Sequence, residues 1–429
     1  MSYALTRQSD FKKAVAVFAI ASLFAGAFML SVVVKPARAA SQIYVNIAMP
    51  DDTGDGLTPA TAKRTIYAGV ELAVDGDTVN VAAGTYPENV SIGKSISLVG
   101  AGSSSVTVAA FNPFVDALVI TAHDVSVSGF TFSGANASNT VAGIHLSGAE
   151  NCNVFDNVLS NNRLGIWLLG AANNTLTGNL AHNNDIGYFL GNSTHNALTG
   201  NTADTNGIGF RLQLSSNSNT FIGTTSTNNL DGIDLLHSSS NTFMTSTVSG
   251  NQTGIYLTNS ADDNTFSYSD ISGNTGWGIY SNNDVTAVKN WWGAASGPTN
   301  ATNNPGGTGD DVTDNVIFIP WLDNPFATPP TITSINLVEG QTVSGIYTIN
   351  VVAGWFVNGL PLDDLTQVDF YIDGVLKGTD TKPPYSYDWD TTVHASPHTV
   401  RVVATDVLGI TGEVTVGVNV LATLPFTGN

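Results

Sequence analysis

The sequence predicts an all-β protein in which a solenoid of stacked three-strand coils is followed by a β-sandwich. Three observations lead to this fold class. A Gly-apolar-x-Leu motif recurs every 22 to 24 residues through the middle of the chain, two columns of Asn keep the same spacing, and beyond residue 330 this period gives way to alternation of apolar and polar residues. The 429 residues include 43 Gly but only 11% charged side chains, and this shortage of Lys, Glu and Arg argues against a helical bundle.

Each period contains three short apolar segments separated by Gly or Asn, and none of them is long enough for a helix. We therefore predict coils of three strands, in which residues one period apart stack about 4.8 Å apart in parallel register. Ile and Leu fill the core, whereas Asn occupies the corners, where its amide reaches the Asn above and below. The repeated glycines are Gly143, Gly165, Gly187, Gly209, Gly232, Gly254 and Gly278, and the Asn columns are Asn174, Asn196, Asn219, Asn241 and Asn264, and Asn162, Asn184, Asn206, Asn229, Asn251 and Asn274.

The same architecture begins before the regular repeats. Segments such as Val79-Asn80-Val81 alternate at period two, as short strands do. Ahead of them, a helix-like stretch opens at Thr58-Pro59 and ends near Asp75-Gly76, with an apolar face made of Ile66, Val70 and Ala73. We expect this N-terminal helix to cap the open end of the stack, which otherwise exposes strand edges and core.

The N-terminus has the pattern of an export signal. Arg7, Lys12 and Lys13 precede an apolar run of residues 14–34, which is followed by the small residues of positions 37–40. We predict a signal peptide over residues 1–39, cut after Ala39, although the run is also long enough to remain as a membrane anchor. In both cases the rest of the chain is extracellular or at the cell surface.

Net charge and cysteine content exclude several classes of partner and site. The formal net charge of −20 repels phosphate backbones, so nucleic acid is not an expected partner. Cys152 is the single cysteine, which excludes a disulfide framework or a zinc site built on cysteines. Because Cys152 stands one period before Asn174, we interpret it as a small buried substitute at the end of that Asn column.

A second domain follows a Pro-rich linker at residues 325–330. Residues 331–421 contain several short alternating strands, with Asp373-Gly374 as a hairpin turn, and this pattern predicts a β-sandwich. Its motifs at 368–374, 384–389 and 398–400 resemble the bacterial Ig-like domains appended to secreted glycan-active and surface proteins. The resemblance implies a spacer or adhesive module without catalysis.

The tail at residues 422–429 contains Leu424-Pro425-Phe426-Thr427-Gly428, which resembles a sortase sorting signal. Such a signal also needs an apolar span and a basic end, and neither follows. The match therefore indicates either a truncated chain or a chance similarity.

The solenoid, predicted over residues 40–324, resembles the right-handed parallel β-helix proteins of the pectin-lyase-like superfamily, in particular the bacterial and archaeal repeat proteins of the carbohydrate-binding and sugar-hydrolase type. The motifs that carry the resemblance are the entry segments 55–60, 76–79 and 84–86, the Asn/Gly coils, and the exit segments 290–293, 297–298 and 320–322. The resemblance implies a right-handed β-helix. It does not fix a function, because this scaffold carries lyases, hydrolases, epimerases, adhesins and binding proteins.

The variable position of the Gly-apolar-x-Leu motif gives the main candidate site. Its neighbours point into the core, so its own side chain points outward. Over six steps of about 4.8 Å, or about 29 Å, these positions predict an elongated glycan-binding strip, in which aromatic faces pack on sugar rings. An alternative is that the aromatic residues lie beneath a loop or a partner chain. The residues of this strip are His145, Trp167, Phe189, Arg211, Asp234, Tyr256 and Tyr280.

Catalytic and metal-binding signatures are weak. We find neither the carboxylate and Arg cluster that acidic-sugar lyases of this scaffold use nor the Asp set of its hydrolases, so no catalytic residue is predicted. The period also stacks three charged pairs, interpreted as surface ion pairs, namely Arg163 with Asp185, Arg211 with Asp234, and His182 with Asp204. No cofactor is predicted, but calcium is a weaker possibility at Asp51, Asp55, Asp262 and Asp263. Copper, for which some β-helix relatives are named, prefers soft ligands, of which the exported part offers Met49, Met244 and Cys152.

Taken together, the sequence predicts an exported protein of the cell surface or extracellular medium that binds polysaccharide or acts as an adhesin. Two alternatives stay open. One is a polysaccharide lyase, hydrolase or epimerase with a diverged site, and the other is a structural surface stalk whose outward aromatic residues form packing surface.

Overall fold

The computed structural model describes residues 40–323, 330–357, 360–362, 365–392, 397–406 and 411–421, with no side-chain description for residues 355–362. The predicted signal peptide, nearly all of the linker and the sorting-like tail lie outside the described residues. Two folded regions are described, a parallel solenoid and a C-terminal sandwich.

The solenoid consists of three parallel sheets. Sheet 1 contains β1 (Gln42–Val45), β2 (Thr78–Val81), β5 (Ser97–Gly100), β8 (Ser126–Ser128), β11 (Asn153–Phe155), β14 (Thr175–Thr177), β17 (Ala197–Thr199), β20 (Thr220–Ile222), β23 (Thr242–Met244), β26 (Thr265–Ser267), β29 (Val285–Thr286) and β32 (Val316–Ile317), in this order. Sheet 2 contains β4 (Val90–Ile92), β7 (Leu118–Ile120), β10 (Ala142–Ser147), β13 (Leu164–Leu169), β16 (Ile186–Gly191), β19 (Ile208–Gln213), β22 (Asp231–Leu236), β25 (Thr253–Thr258), β28 (Trp277–Ser281), β31 (Gly309–Val312) and β30 (Pro298–Thr299). Sheet 3 contains β3 (Gly84–Pro87), β6 (Val106–Ala109), β9 (Thr131–Ser133), β12 (Val158–Ser160), β15 (Leu180–His182), β18 (Thr202–Asp204), β21 (Thr225–Thr227), β24 (Thr247–Ser249) and β27 (Asp270–Ser272).

The predicted register is confirmed: residues one period apart are neighbours on adjacent strands. Trp167 pairs with Phe189, and Leu176 pairs with Leu198. The inward columns of Val, Ile, Leu and Phe join into one continuous buried core. Within it, Phe221, Phe243 and Phe266 form a stack with ring centroids 4.3 and 4.8 Å apart. Each such side chain contributes about 1.5 to 3 kcal/mol relative to exposure, so the stack holds the coils together.

The corners are held by ladders of buried Asn side chains. Asn174 donates its backbone N–H and its Nδ2 to Asn196 Oδ1 at 2.9 and 3.0 Å, and Asn196 donates in the same way to Asn219. The amide thus satisfies backbone groups of the turn that burial would otherwise penalise. Cys152 begins this column as expected: it is buried, and its backbone N–H donates to Asn174 Oδ1. A third ladder, which the sequence analysis did not find, contains Asn157, Asn179 and Asn201.

The N-terminal helix is present, but it begins later than predicted. The stretch at Thr58-Pro59 forms only a 3₁₀ turn (Pro59–Thr61), and the helix α1 (Ile66–Leu72) has Thr65 as its N-cap. Asp52 fixes this start, since its carboxylate accepts the N–H groups of Arg64 and Thr65. The cap residues Ile66, Val70 and Ala73 are all buried in the solenoid core, so the predicted apolar face is correct.

The opposite end of the solenoid is closed by aromatic residues. Trp292 is fully buried in the core, and Trp321 packs against the core beside Phe318, with ring centroids 6.1 Å apart. Gly297 has a positive φ of 76° and lies so close to the Trp321 ring that a side chain there would collide with it. The exit motifs therefore cover the last coil.

The C-terminal region forms two sheets of β-strands. One contains β33 (Thr331–Ile335), β35 (Ile346–Val357), β36 (Leu360–Leu362) and β39 (Tyr385–Asp390), and the other contains β34 (Gln341–Val343), β37 (Leu365–Ile372), β38 (Val375–Asp380), β40 (His398–Asp406) and β41 (Thr411–Val420). Strands β37 and β38 are joined by the predicted turn Asp373-Gly374, where both residues have positive φ. This region has a core of its own, centred on Phe370, Trp389 and Val402.

Candidate functional site

The seven predicted strip residues form one column on sheet 2. Each occupies the same position of its strand and pairs with the next, from His145 in β10 to Tyr280 in β28. In β13, Ile166 and Leu168 on either side of Trp167 are fully buried, whereas Trp167 is partly exposed, as alternation requires. The structure therefore brings together every residue of the predicted strip.

The aromatic rings of the column stack on one another. The ring centroids of His145 and Trp167 are 4.0 Å apart at an interplanar angle of 11°, and Phe189 lies 6.2 Å beyond Trp167 at 35°. At the other end, Tyr256 and Tyr280 stack with centroids 5.2 Å apart. Because the faces of Trp167 are turned toward the coils before and after it, its ring edge is what reaches solvent. This differs from the expectation that ring faces lie open for sugar rings, and the cause is the short spacing between coils.

The charged pair of Arg211 and Asp234 separates the two aromatic halves of the strip. Arg211 Nε lies 3.2 Å from Asp234 Oδ2, but its N–H is not aligned for a hydrogen bond. Asp234 is only 6% exposed, and burial raises the pKa of its carboxyl, an effect that the nearby Arg211 charge opposes. Burial likewise raises the pKa of Asp231 on the same strand. The pair is therefore more deeply placed than the expected surface ion pair.

His145 is held by Asp116, a residue outside the predicted strip. The side chain of His145 is 10% exposed, and Nδ1 lies 2.9 Å from Asp116 Oδ2, while Nε2 has no hydrogen-bond partner among the described residues. Asp116 lies at the end of a loop that Asn89 anchors, since Asn89 Nδ2 donates to the backbone oxygens of Asn112, Val115 and Asp116. The same loop exposes Phe111 and Phe114, which are 79% and 65% exposed. No period of 22 residues marks this loop, so the repeat did not reveal it.

A second missed residue is Trp277, which extends the strip sideways at its C-terminal end. Trp277 is 39% exposed, and its ring meets Tyr280 edge to face, with centroids 5.8 Å apart at 68°. Its ring is therefore not stacked into the column. Trp277 lines a pocket of about 410 Å³ together with Thr299, Asn300, Asp311 and Asp314. The sequence signal for Trp277 was its position directly before Gly278, one period after Thr253.

The other two predicted charged pairs are neighbours on adjacent coils. Arg163 contacts Asp185, and His182 is the strand neighbour of Asp204, as their spacing predicts. Burial opposes ionisation of Asp204, but hydrogen bonds from Asn228, Thr205 and Thr227 outweigh it and lower the pKa of this carboxyl.

The carboxylates proposed for calcium lie in turns. Asp51 accepts hydrogen bonds from the backbone and hydroxyl of Thr53, and Asp55 accepts from Leu57 N–H and the Thr61 hydroxyl. These bonds lower the pKa of both carboxyls. Asp262 and Asp263 lie in the turn before Asn264, where Asp263 has a positive φ of 56°. Within the described part of the chain, no group of three or more His, Cys, Asp or Glu side chains comes together.

The fold and the strip define the class of protein: a right-handed parallel β-helix with a C-terminal Ig-like domain. The chain belongs to the NosD family, because the family model described as periplasmic copper-binding protein (NosD) matches residues 70–243 and 171–292, together about half of the chain. The bacterial Ig domain model matches residues 330–402. Among curated proteins, none matches this sequence.

Solved structures are similar in fold. One is pectate lyase Pel9A, with 16% identity and a TM-score of 0.45 over 65% of this chain and 79% of that chain. Another is the ORF18 protein of Geobacillus virus E2, with 14% identity and a TM-score of 0.48 over 90% and 80%. The fibronectin(III)-like modules of Clostridium thermocellum CbhA align at 22% identity and a TM-score of 0.20. The alignment covers 27% of this chain and 55% of that chain, so this chain spans about half the length of that structure. At these values the likeness concerns the fold alone.

The described residues do not fit copper, the metal in the family's description. The Cys152 thiol is buried, its Sγ lies 3.5 and 3.6 Å from two backbone oxygens, and burial raises the pKa of the thiol. Met49 follows β1 and Met244 lies in β23, so many coils separate the two residues. In the described ranges, no three His, Cys, Asp or Glu side chains converge on a point where they could hold a metal ion. The described residues also contain no helix that is both long and apolar enough to cross a membrane.

Proposed function

We propose that this protein is an exported polysaccharide-binding or adhesive protein that holds a glycan chain along the outer face of sheet 2. The observation that carries the proposal is the register of the seven-residue strip from His145 to Tyr280. A surface with a regular repeat offers the same contact to successive units of a linear polymer, and parallel coils supply such a repeat at about 4.8 Å.

The strip offers three kinds of contact. Trp167, which stacks on His145, presents its ring edge, and Phe189 lies beside it at a tilt; aromatic edges carry partial positive charge and suit sugar oxygens. The charged pair Arg211 and Asp234 supplies hydrogen-bond donors and acceptors for hydroxyls at the centre. Tyr256 and Tyr280 continue the same column with phenolic groups. Apolar contact with a few placed polar groups is the usual composition of a sugar site.

A diverged polysaccharide lyase, hydrolase or epimerase is the second candidate. One observation favours it: His145 has a carboxylate partner on Nδ1, and its Nε2 has no hydrogen-bond partner among the described residues, as in a His held for proton transfer. The buried position of His145 weighs against it, because a general base has to reach its substrate.

Retention on immobilised polysaccharides tests the binding proposal. The panel includes neutral glucans, mannans and xylans as well as pectate and alginate. We expect Trp167→Ala and Tyr256→Ala each to weaken retention about two- to tenfold, because an aromatic contact contributes about 0.5 to 1.5 kcal/mol and about 1.4 kcal/mol is tenfold.

Tyr67→Ala is the control, because Tyr67 is an exposed aromatic residue on α1 and stands outside the strip. It should bind as the parent does. Failure of the parent to be retained on any polymer, or equal retention of all variants, would leave the strip as packing surface of a structural stalk. Release of reducing ends or unsaturated products that Asp116→Asn abolishes would favour the enzyme instead.

A further inference from the structure

The pocket beside Trp277 adjoins the strip and has the size of a small-ligand site. Strands β28, β31 and β30 follow one another at the C-terminal end of sheet 2, and the pocket lies over them. Its volume of about 410 Å³ falls in the range of small-ligand sites, about 300 to 1,000 Å³. Since Trp277 contacts Tyr280, the pocket continues the strip without a gap.

Trp277 differs from the other aromatic residues of sheet 2 in how its ring is used. The rings of Trp167 and Tyr256 are stacked within the column, so a ligand meets their edges. Trp277 meets Tyr280 at 68° and remains more than a third exposed, which leaves ring surface open toward the pocket. An open indole face is the surface on which the C–H groups of a sugar ring pack.

The charges of the pocket are of one sign. Asp311 and Asp314 both line it and are exposed, and Asp311 is the strand partner of Trp277. Asn300 accepts two loop N–H groups through Oδ1 and donates through Nδ2 to Val312 O and Asp314, so it fixes the wall rather than supplying charge. Among the residues that the structure describes, no Lys or Arg lines the pocket. A carboxylate on a ligand is therefore repelled here, and hydroxyls find acceptors.

We propose that this pocket binds one uncharged sugar residue at the end of the strip and selects against uronic acids, with Trp277 as the stacking platform and Asp311 as the source of the selection. The proposal rests on the polysaccharide-binding function proposed above. It adds the class of sugar and a residue that the repeat motif does not contain.

The test is binding of the full chain to an array of hexasaccharides in a buffer with a chelator, which removes divalent cations that bridge carboxylates. The array contains gluco-, manno-, xylo- and N-acetylated chito-hexasaccharides and the hexamers of galacturonic and mannuronic acid. We expect at least one uncharged hexasaccharide to bind more tightly than both hexauronates. Trp277→Ala should weaken that binding at least fivefold, and Trp277→Phe should restore most of it.

Asp311→Asn probes the selection separately. It should increase hexauronate binding at low salt and leave the binding of the uncharged hexasaccharide unchanged, because screening by salt removes the effect of an exposed charge. Preference for the hexauronates, or parent-like binding by Trp277→Ala while Trp167→Ala is weakened, overturns the pocket and leaves the strip intact. Loss of all glycan binding by the parent overturns both. Circular dichroism of each variant distinguishes these outcomes from unfolding.

Discussion

The Asn ladders make a sharp prediction for the stability of the solenoid. Asn196 Oδ1 accepts both the backbone N–H and the Nδ2 of Asn174, and Asn196 Nδ2 donates to Ala171 O, Thr194 O and Asn219 Oδ1. In Asn196→Ala the buried backbone N–H of Asn174 loses its acceptor, which costs about 1 to 3 kcal/mol.

The remaining losses are smaller, because the partners keep other donors. Ala171 O still accepts from the Thr194 N–H, and Asn219 Oδ1 still accepts from the backbone of residue 196. They add about 1 kcal/mol. We therefore expect Asn196→Ala to lower the free energy of unfolding of the solenoid by about 2 to 4 kcal/mol.

Urea unfolding followed by circular dichroism measures this difference. The control is Asn139→Ala, because Asn139 is exposed and lies outside the ladders, so it should change stability by less than about 0.5 kcal/mol. The Ig-like domain has a separate core, and its transition should not move. If Asn196→Ala and Asn139→Ala unfold at the same urea concentration, the Asn ladder does not stabilise the corners of the coils, and the reasoning is refuted.

Three further predictions concern single side chains. Tyr188→Phe should cost about 0.5 to 1.5 kcal/mol in urea unfolding, because the buried hydroxyl donates to Asn179 O at 2.7 Å; no change would contradict this. Burial raises the pKa of Glu88, so the folded chain holds this proton more tightly than the unfolded chain, and the free energy of unfolding falls as pH rises from the ordinary pKa of Glu through the raised one. Glu88→Gln should remove that slope, and a slope equal to that of the parent would contradict it. Cys152 should resist alkylation until the chain is unfolded in urea, because burial raises the pKa of its thiol; modification of the folded chain at the rate of free cysteine would disprove its burial.

The repeating coils of the solenoid were predictable from the sequence, whereas the start of its cap helix was not. The Gly and Asn columns identify coils because each position is observed several times, so chance matches are averaged out. The start of α1 occurs once, and its position depends on the carboxylate of Asp52 accepting two N–H groups from twelve and thirteen residues away. A capping contact of such range leaves no local pattern, and Thr58 followed by Pro looked like the better N-cap.

The same distinction applies to the candidate site. The seven strip residues are recognisable because they share one position of the repeat, and their pairing follows directly from it. The orientation of the rings did not follow, since alternation fixes only that a side chain points outward. Asp116 lies on an irregular loop and reaches His145 across a separation of 29 residues, longer than one regular period. Its role depends on tertiary packing, which no spacing rule encodes.

Regular repetition also limits what a solenoid surface can bind. When aromatic residues occupy the same position in consecutive coils, the strand spacing stacks their faces against each other, as in His145 and Trp167, and the surface keeps only ring edges. An open face requires a coil that breaks the repeat. The step from Gly254 to Gly278 is 24 residues rather than 22, and in this coil Trp277 stands in the column of Thr253, outside the stacked column, where it lines a pocket. In repeat proteins of this kind, the irregular coils are therefore the places where specificity for a ligand can arise, and the regular ones set the length over which it is held.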